Sequence, residues 1–249
     1  MRLDNYTMKH NGMYILKKTD FDEIADMVLK EYMPNVLQYP KATDVEYLAE
    51  ECFYLEIKHE NITPNGAVLG MIAFADTEFN TVGMDYEDRT IKLEEGTMLI
   101  DMSLIGRENL ARKRFTQAHE ISHWVCHRSY HSPTQQQYEF RKNRSSYVAC
   151  RTENIEQYKK RIQSEKTDDD WEEWQADSLA AALLMPKDTF HIAFSEAMRN
   201  SGIWRGYLIA GVDNEKARKV IEELMQVFGV SFRAAQIRMM HLGLIRRCA

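Results

Sequence analysis

The run His119-Glu120-Ile121-Ser122-His123 constrains this chain more than any other feature, because it lies in a segment whose apolar residues recur at helical spacing. Residues four positions apart lie on one face of an α-helix, so a helix here would direct both imidazoles at a single ion. Zinc accepts imidazole nitrogen and carboxylate oxygen in tetrahedral geometry. The HExxH pattern therefore predicts a helix on which His119 and His123 bind zinc.

Glu120 is the predicted general base of this motif. On the helix it is turned away from the line of the two histidines but still lies beside the ion, where a carboxylate can take a proton from the attacking water. The alternative is two surface histidines on an amphipathic helix. The helical pattern that runs from Glu108 to about His127 weakens that alternative.

A catalytic zinc site needs a third protein ligand and one open position. His127 continues the face of His119 and His123, but eight residues of continuous helix separate His119 from His127 by about 12 Å. A zinc ion with ligands at about 2 Å cannot span that distance. Metalloproteases with a third histidine break the helix at a glycine, and no glycine lies between His123 and His127. His127 is therefore not the predicted third ligand.

The third ligand is predicted on a later helix, from about Trp171 to Met185. Glu173 and Asp177 share one face of that helix at four-residue spacing. A histidine that binds a metal usually donates its other N–H to a carboxylate or carbonyl. Glu173 is accordingly the predicted third ligand, and Asp177 is predicted to hold His119 in the required tautomer.

A helix cap is the competing interpretation of Glu173. Asp170 and Glu173 have the spacing of a capping box, and acidic residues are common in a first helical turn. The HExxH run upstream and Asp177 one turn later favour the ligand. Glu172 has Ala176 instead of a carboxylate four residues on, so Glu173 is preferred over Glu172.

The order of the predicted elements indicates an α+β fold. Helices that begin after Thr19 and Thr43 precede short extended segments, which predict a small, mostly antiparallel sheet. The expected strands are Phe53–Ile57, Gly66–Phe74, Arg89–Leu93 and Thr97–Met102, with the last two joined as a hairpin by Glu94-Glu95-Gly96. The predicted domains are a catalytic domain of residues 1–186 and a C-terminal helical region of residues 187–249 that packs on it.

The composition of the chain argues against several classes of function and location. A formal charge of −6 over 249 residues argues against a protein that coats nucleic acid. None of the cysteines form a CxxC pair, and so few cysteines suit a reducing compartment. The first residues lack the apolar core of a signal peptide, and no apolar run is long enough to cross a bilayer. We therefore expect a cytoplasmic protein that does not associate with a membrane.

The polar stretch from Arg128 to Asp170 has no sustained periodicity and carries more basic than acidic residues between Arg141 and Arg161. A solvated loop is the favoured interpretation. A docking surface for an acidic partner is the alternative.

The end of the chain offers a different class of function. The turn Gly229-Val230-Ser231 separates two predicted helices and resembles the turn of a DNA-binding helix-turn-helix. The apolar residues of the two helices are Val220, Leu224, Val227 and Phe228, then Ala234, Ile237, Met240 and Leu244, while Arg233, Arg238, Arg246 and Arg247 add positive charge. A hairpin packed on the catalytic domain is favoured, because a lone hairpin is a weak signal and the chain is acidic. The alternative is a DNA-binding or toxin–antitoxin-type regulatory protein with a structural zinc.

Three stretches carry a resemblance to a known family. They are Arg114–His123 with His127 after it, Gln175–Pro186, and Gly66–Phe74 followed by Gly96–Asp101. Together they resemble the ImmA/IrrE family of metallo-endopeptidases, from about Thr19 to Pro186. The resemblance implies a zincin-like fold with gluzincin-type ligation, in which His119, His123 and Glu173 match the metal positions and Glu120 matches the catalytic one. Asp177 stands where asparagine is frequent in the family, and this change keeps a hydrogen-bond acceptor.

Peptide hydrolysis is the activity that the motif and the resemblance imply. Members of the family often act on helix-turn-helix repressors, so we expect a protein substrate, with a DNA-binding repressor as the candidate and a role in transcription regulation. Direct binding of nucleic acid is not expected. The substrate is expected to add as a strand to an exposed sheet edge. A second electrophile is left open among His127, Tyr130 and His131, and the edge strand is left open too.

Overall fold

The computed structural model describes residues 3–83, 87–131, 147–151 and 167–247. It divides into two compact units, the first formed by Met1–Phe21 with Val45–Ala180 and the second by Asp22–Asp44 with Ala181–Ala249. All residues of the predicted metal site belong to the first unit. Most of the polar stretch from Arg128 to Asp170 lies outside the described residues. The predicted division near Pro186, and the packing of the C-terminal region on the catalytic domain, stay predictions.

The helices are distributed along the whole described chain. They are α1 (Asp20–Tyr32), α2 (Val45–Tyr47, continued by a π-turn over Leu48–Cys52), α3 (Leu110–His131), α4 (Asp168–Leu184), α5 (Lys187–Asn200), α6 (Asn214–Phe228) and α7 (Phe232–His241). The HExxH run lies on α3, and the Glu173–Asp177 pair lies on α4, as predicted. Within the described residues, no helix combines the length and the apolar character needed to span a membrane.

The strands form three small sheets within the described residues. They are β1 (Glu56–Glu60), β2 (Val68–Ala73), β3 (Thr77–Val82), β4 (Asp88–Leu93), β5 (Thr97–Asp101), β6 (Tyr147–Arg151), β7 (Leu208–Ala210) and β8 (Ile245–Arg247). The largest sheet has the order β1-β5-β2-β6, and β3 with β4 and β7 with β8 form the other two. In the largest sheet β1 pairs with β5 in parallel, while β2 pairs with β5 and with β6 in antiparallel orientation. The mixed α+β class with a small, mostly antiparallel sheet is confirmed.

The predicted hairpin between Arg89 and Met102 is wrong. β4 pairs with β3, whereas β5 lies between β1 and β2 at the centre of the main sheet. The burial of the two strands gives the reason, since every residue of β5 is buried while most of β4 is exposed. A strand that is buried along its whole length needs a neighbour on each side.

The predicted first strand begins three residues too early. The π-turn carries the second helix to Cys52, and the Phe53 amide still donates to the Leu48 carbonyl. Tyr54 then has a φ of 55°, which no regular strand contains. The extended conformation can therefore begin only at Glu56.

The two faces of β2 have different neighbours. On one face, Met71 and Ala73 join an apolar cluster with Leu99 of β5 and with Ile91 and Leu93 of β4. Gly70 is on the other face, against α3, where an added Cβ would lie 2.5 Å from Thr116 Cγ2 and 2.8 Å from Glu120 Oε1. Glycine at this position therefore lets α3 approach the sheet closely.

The C-terminal hairpin is present, but its second helix has a different inner face from the one predicted. Gly229 ends α6 with a φ of 62°, and the Ser231 hydroxyl caps α7. Of Ala234, Ile237, Met240 and Leu244, the structure buries Leu244 alone, and it buries Ala235, Arg238 and Met239 instead.

The contacts of Arg238 explain why α7 buries a different set of residues from the one predicted. Its guanidinium donates to the Met185 carbonyl at 3.0 Å and to Asp22 Oδ1 at 2.5 Å. Charged side chains are seldom buried, so an arginine in a helical pattern does not by itself indicate an inner face. A buried arginine with a carboxylate and a carbonyl as partners is the exception that this rule misses.

Replacing Gly70 with alanine should destabilise the protein by about 1–3 kcal/mol, because the methyl group overlaps the side chains of Thr116 and Glu120, both of which are buried on α3. Gly206→Ala is the matched control, since a Cβ there meets nothing within 4 Å. Urea denaturation of the two variants checks this. Equal stabilities would contradict the close approach of α3 to β2.

Candidate metal centre

Two helices bring three predicted ligands together. His119 and His123 project from one face of α3, and their Nε2 atoms lie 2.9 Å apart. Glu173 on α4 places Oε2 at 3.7 Å from His119 Nε2 and Oε1 at 3.7 Å from His123 Nε2. Ligand atoms around a tetrahedral zinc ion are separated by about 3.3 Å. The three side chains therefore have the spacing that one metal ion requires.

A second group of side chains lies beside the first and shares His123. His123 and His127 approach each other through their Nδ1 atoms at 3.0 Å, and Glu172 Oε1 lies 3.6 Å from the former and 3.9 Å from the latter. All three are buried, and Glu172 also bonds to His131 Nε2. The first group differs because the Glu173 side chain is 17% exposed. A catalytic ion needs an accessible position, so the first group is the better candidate.

Asp177 lies where it can orient His119. Its Oδ1 atom is 3.0 Å from His119 Nδ1. A carboxylate accepts, so Nδ1 carries the proton and the lone pair of a neutral ring is on Nε2. The ligand roles of His119, His123 and Glu173 stay predictions, but the structure places all three, and Asp177, at positions that suit those roles.

Glu120 is a buried carboxylate with an unusual environment. It is fully buried, and neither of its oxygens has a hydrogen-bond partner among the described residues. Buried polar atoms are nearly always paired, so the missing partner is expected to be something other than the polypeptide. An ion with its attached water, held by the neighbouring histidines, would supply that partner. The donor set and the unpaired carboxylate thus both fit a metal ion.

Burial raises the pKa of Glu120 to about 8, and the negative charges of Glu173 and Glu172 add to that effect while His119 opposes it. The two buried histidines shift in the other direction. Burial lowers the pKa of His123 well below its usual value and that of His127 to about 4. Both rings are therefore neutral near pH 7, which is the form that binds a metal.

Glu172 differs from Glu120 because it faces several ring nitrogens. Burial alone would raise its pKa, but the facing nitrogens of His123 and His131, together with the His127 ring, lower it. Glu172 is therefore an ionised carboxylate within the buried part of the site.

None of the candidates for a second electrophile is accessible. Both ring nitrogens of His127 are engaged, one with His123 and one with Gln175 Oε1 at 3.1 Å. His131 bonds to Glu172 and stacks on Phe74 with 4.6 Å between the ring centroids. Tyr130 is 1% exposed. The structure therefore assigns this role to none of the three.

Gly70 and Gln175 were not predicted as parts of the site, although the sequence contained a signal for each. An isolated glycine within a strand pattern indicates a close backbone approach, and Gly70 lies inside the apolar strand β2. Gln175 is a buried amide one residue from the apolar inner face of α4. A buried amide must find hydrogen-bond partners, which makes it a candidate for a structural role near the site.

A family model described as the IrrE N-terminal-like domain, Peptidase M78, matches residues 146–240. The resemblance to the ImmA/IrrE family is confirmed over these residues. The match supports a peptidase and includes Glu173 and Asp177, whereas it begins after the HExxH run. A comparison with curated proteins finds no matching relative.

In the metal-free protein, the raised pKa of Glu120 should make stability depend on pH. Because the folded-state value of about 8 exceeds the ordinary 4.5, the stability that Glu120 contributes is complete below about pH 4.5. It is lost as the pH rises through 8. Relative to Glu120→Gln, chelator-treated wild type should lose on the order of 3–4 kcal/mol between pH 5 and pH 8. Urea denaturation of both proteins across this range is the measurement, and parallel profiles would refute the prediction.

Proposed function

We propose that the protein is a zinc-dependent endopeptidase that hydrolyses peptide bonds in a protein substrate. His119, His123 and Glu173 would hold the ion, and Glu120 would act as the general base. The observation that carries the proposal is the convergence of two Nε2 atoms and one carboxylate next to a buried carboxylate without a hydrogen-bond partner.

The chemistry of the donor set favours zinc. Two imidazoles with one carboxylate are a combination typical of catalytic zinc sites, whereas calcium and magnesium prefer oxygen ligands throughout. His119 and His123 are buried, and neutral rings are required for binding. When bound, zinc supplies a Lewis acid that activates the attacking water and polarises the scissile carbonyl.

Glu120 would move the proton in the reaction. The positive charge of a nearby ion favours the ionised carboxylate and so counters the effect of burial on its pKa. In that form Glu120 takes the proton from the attacking water and then delivers it to the leaving amine. The backbone of Gly70 lies next to the Glu120 side chain, since a Cβ added to Gly70 would be 2.8 Å from Glu120 Oε1.

The edge strand β6 is the proposed binding place of the substrate backbone. Among the described strands, β6 is at one edge of the main sheet and pairs with β2. Gly70 of β2 is opposite Cys150 of β6 and also faces Glu120. An extended peptide that adds to β6 by backbone hydrogen bonds would thus run close to the general base.

A DNA-binding repressor remains the proposed substrate, on the family resemblance alone, with the cytoplasm as the proposed compartment. Two contacts weigh against the alternative of a DNA-binding protein that uses α6 and α7. Arg238 is buried and paired with Asp22, and the Arg246 guanidinium lies 4.0 Å above the Tyr207 ring. Both arginines thereby already have partners within the protein.

The purified protein should contain about one zinc per chain, because three ligands and one open position bind one ion. His119→Ala, His123→Ala and Glu173→Ala should each reduce the zinc content strongly. Elemental analysis after dialysis against dilute zinc measures this. A wild type as metal-free as His119→Ala would refute the metal centre.

Glu120→Gln should retain zinc but lose at least 100-fold in peptide hydrolysis, because the amide keeps the shape and cannot accept the proton. Glu108→Gln, an exposed change just before α3, is the matched control and should cleave like wild type. A panel of unfolded proteins and candidate repressors, analysed by mass spectrometry, provides the assay. Undiminished cleavage by Glu120→Gln would show that another group is the base.

A further inference from the structure

A continuous chain of hydrogen bonds leads away from the metal centre and has no part in the proposed chemistry. It runs from His123 Nδ1 to His127 Nδ1 at 3.0 Å and from His127 Nε2 to Gln175 Oε1 at 3.1 Å. It ends where Gln175 Nε2 donates to the Tyr14 carbonyl at 2.8 Å. These hydrogen bonds join α3 and α4 to the N-terminal segment.

The last group in this chain fixes the direction of every bond. A backbone carbonyl can only accept, so the Gln175 atom that faces Tyr14 must be the amide nitrogen. The amide oxygen of Gln175 then faces His127. Because that oxygen also can only accept, His127 Nε2 must carry a proton.

The same reasoning fixes which ring nitrogens of His127 and His123 carry a proton. His127 is fully buried, and the nearby Glu172 Oε1 is 3.9 Å from its Nδ1, too far for a hydrogen bond. A neutral imidazole has one N–H, so Nδ1 of His127 is an acceptor. His123 Nδ1 must therefore be the donor, and the lone pair of His123 is on Nε2, the atom that faces His119 and Glu173.

We propose that His127 and Gln175 are positioning residues for His123. Because the Tyr14 carbonyl can only accept, the hydrogen bonds through Gln175 and His127 make His123 Nδ1 a donor and so hold the Nε2 lone pair of His123 toward the metal. The inference rests on the proposed function, since it takes His123 as a zinc ligand. His119 obtains the same orientation directly from Asp177. The two histidines of the motif are thus oriented by different devices, a charged carboxylate for one and a neutral chain for the other.

The acceptor at the end of the chain is itself held in place. Asp168, in the first turn of α4, accepts from Lys9 at 2.7 Å and from Asn11 at 2.9 Å. Tyr14 also pairs with Met8 in an isolated bridge. These contacts fix the N-terminal segment to the same helix that carries Gln175, so the distance between Gln175 and the Tyr14 carbonyl is set by several bonds.

A second cation site is the competing explanation of the same residues. His123 Nδ1, His127 Nδ1 and Glu172 lie close enough to surround an ion. The distances favour the hydrogen-bond chain, because the two rings are 3.0 Å apart while Glu172 Oε1 is 3.6 Å and 3.9 Å from them. Glu172 already accepts from His131.

The test compares two replacements of His127. The side-chain oxygen of asparagine can take the place of Nδ1 and accept from His123, whereas leucine cannot. His127→Leu should weaken zinc binding by about 10–100-fold, the usual effect of losing an orienting partner. His127→Asn should stay within a few-fold of wild type. Cys126→Ala is the control, because Cys126 is fully buried on the same helix but outside the chain. Zinc competition with a chromophoric chelator measures the affinities.

Nitrogen-15 NMR of the imidazole rings adds a readout that does not depend on activity. We expect protons on His123 Nδ1 and on His127 Nε2 in the wild type, with and without zinc. A proton on His127 Nδ1, or equal zinc affinity in His127→Leu and wild type, would overturn the inference. The inference would also be overturned if the wild-type protein bound two zinc ions per polypeptide and His127→Leu bound only one, since that result identifies a second metal site.

The outcome also separates this inference from the proposed function. A wild type that binds one zinc ion with the expected protonation but cleaves no protein would refute the peptidase and leave the positioning chain intact. A working peptidase in which His127→Leu and His127→Asn bind zinc equally well would refute the chain and leave the peptidase intact.

Discussion

The burial of polar side chains on α3 is the constraint on which the rest of this unit depends. His119, Glu120, His123 and His127 are all fully enclosed on one helix. A buried polar group without a partner costs several kcal/mol, so the surrounding elements must provide partners for these side chains. α4 does so with Asp177 for His119 and Gln175 for His127, and it must therefore lie alongside α3. Of these four side chains, Glu120 alone is left without a partner among the described residues, which is compatible with its proposed role as the general base.

The proximity of the candidate site residues could be predicted because their relations are mostly local. Four-residue spacing on a helix decides that His119 and His123 share a face, and the same rule joins Glu173 to Asp177. Only one non-local step was needed, the assumption that the two helices meet. The contact of 3.0 Å between His119 and Asp177 agrees with that assumption. The α+β class also followed from local patterns, since the order of helices and strands depends on each segment separately.

Other features could not be predicted because they depend on long-range pairing. The alternation within β4 and β5 is compatible with a hairpin, and only the complete burial of β5 shows that it needs a neighbour on each side. The bond from Gln175 to the Tyr14 carbonyl joins residues 161 positions apart and uses a backbone atom, which every residue possesses. The burial of Arg238 could not be predicted, because its partner Asp22 comes from the opposite end of the sequence.

The backbone acceptor at Tyr14 has a consequence for whether its contact with Gln175 can be detected by comparing related sequences. Methods that infer contacts from correlated substitutions detect pairs of side chains, and a carbonyl group is the same whichever residue bears it. A substitution at position 14 that leaves the backbone in place therefore requires no compensating change at Gln175, and no correlated signal would connect the two positions. An insertion or deletion upstream of Tyr14 would instead shift the carbonyl itself. The number of residues in the N-terminal segment is thus constrained by this bond, whichever side chains the segment carries.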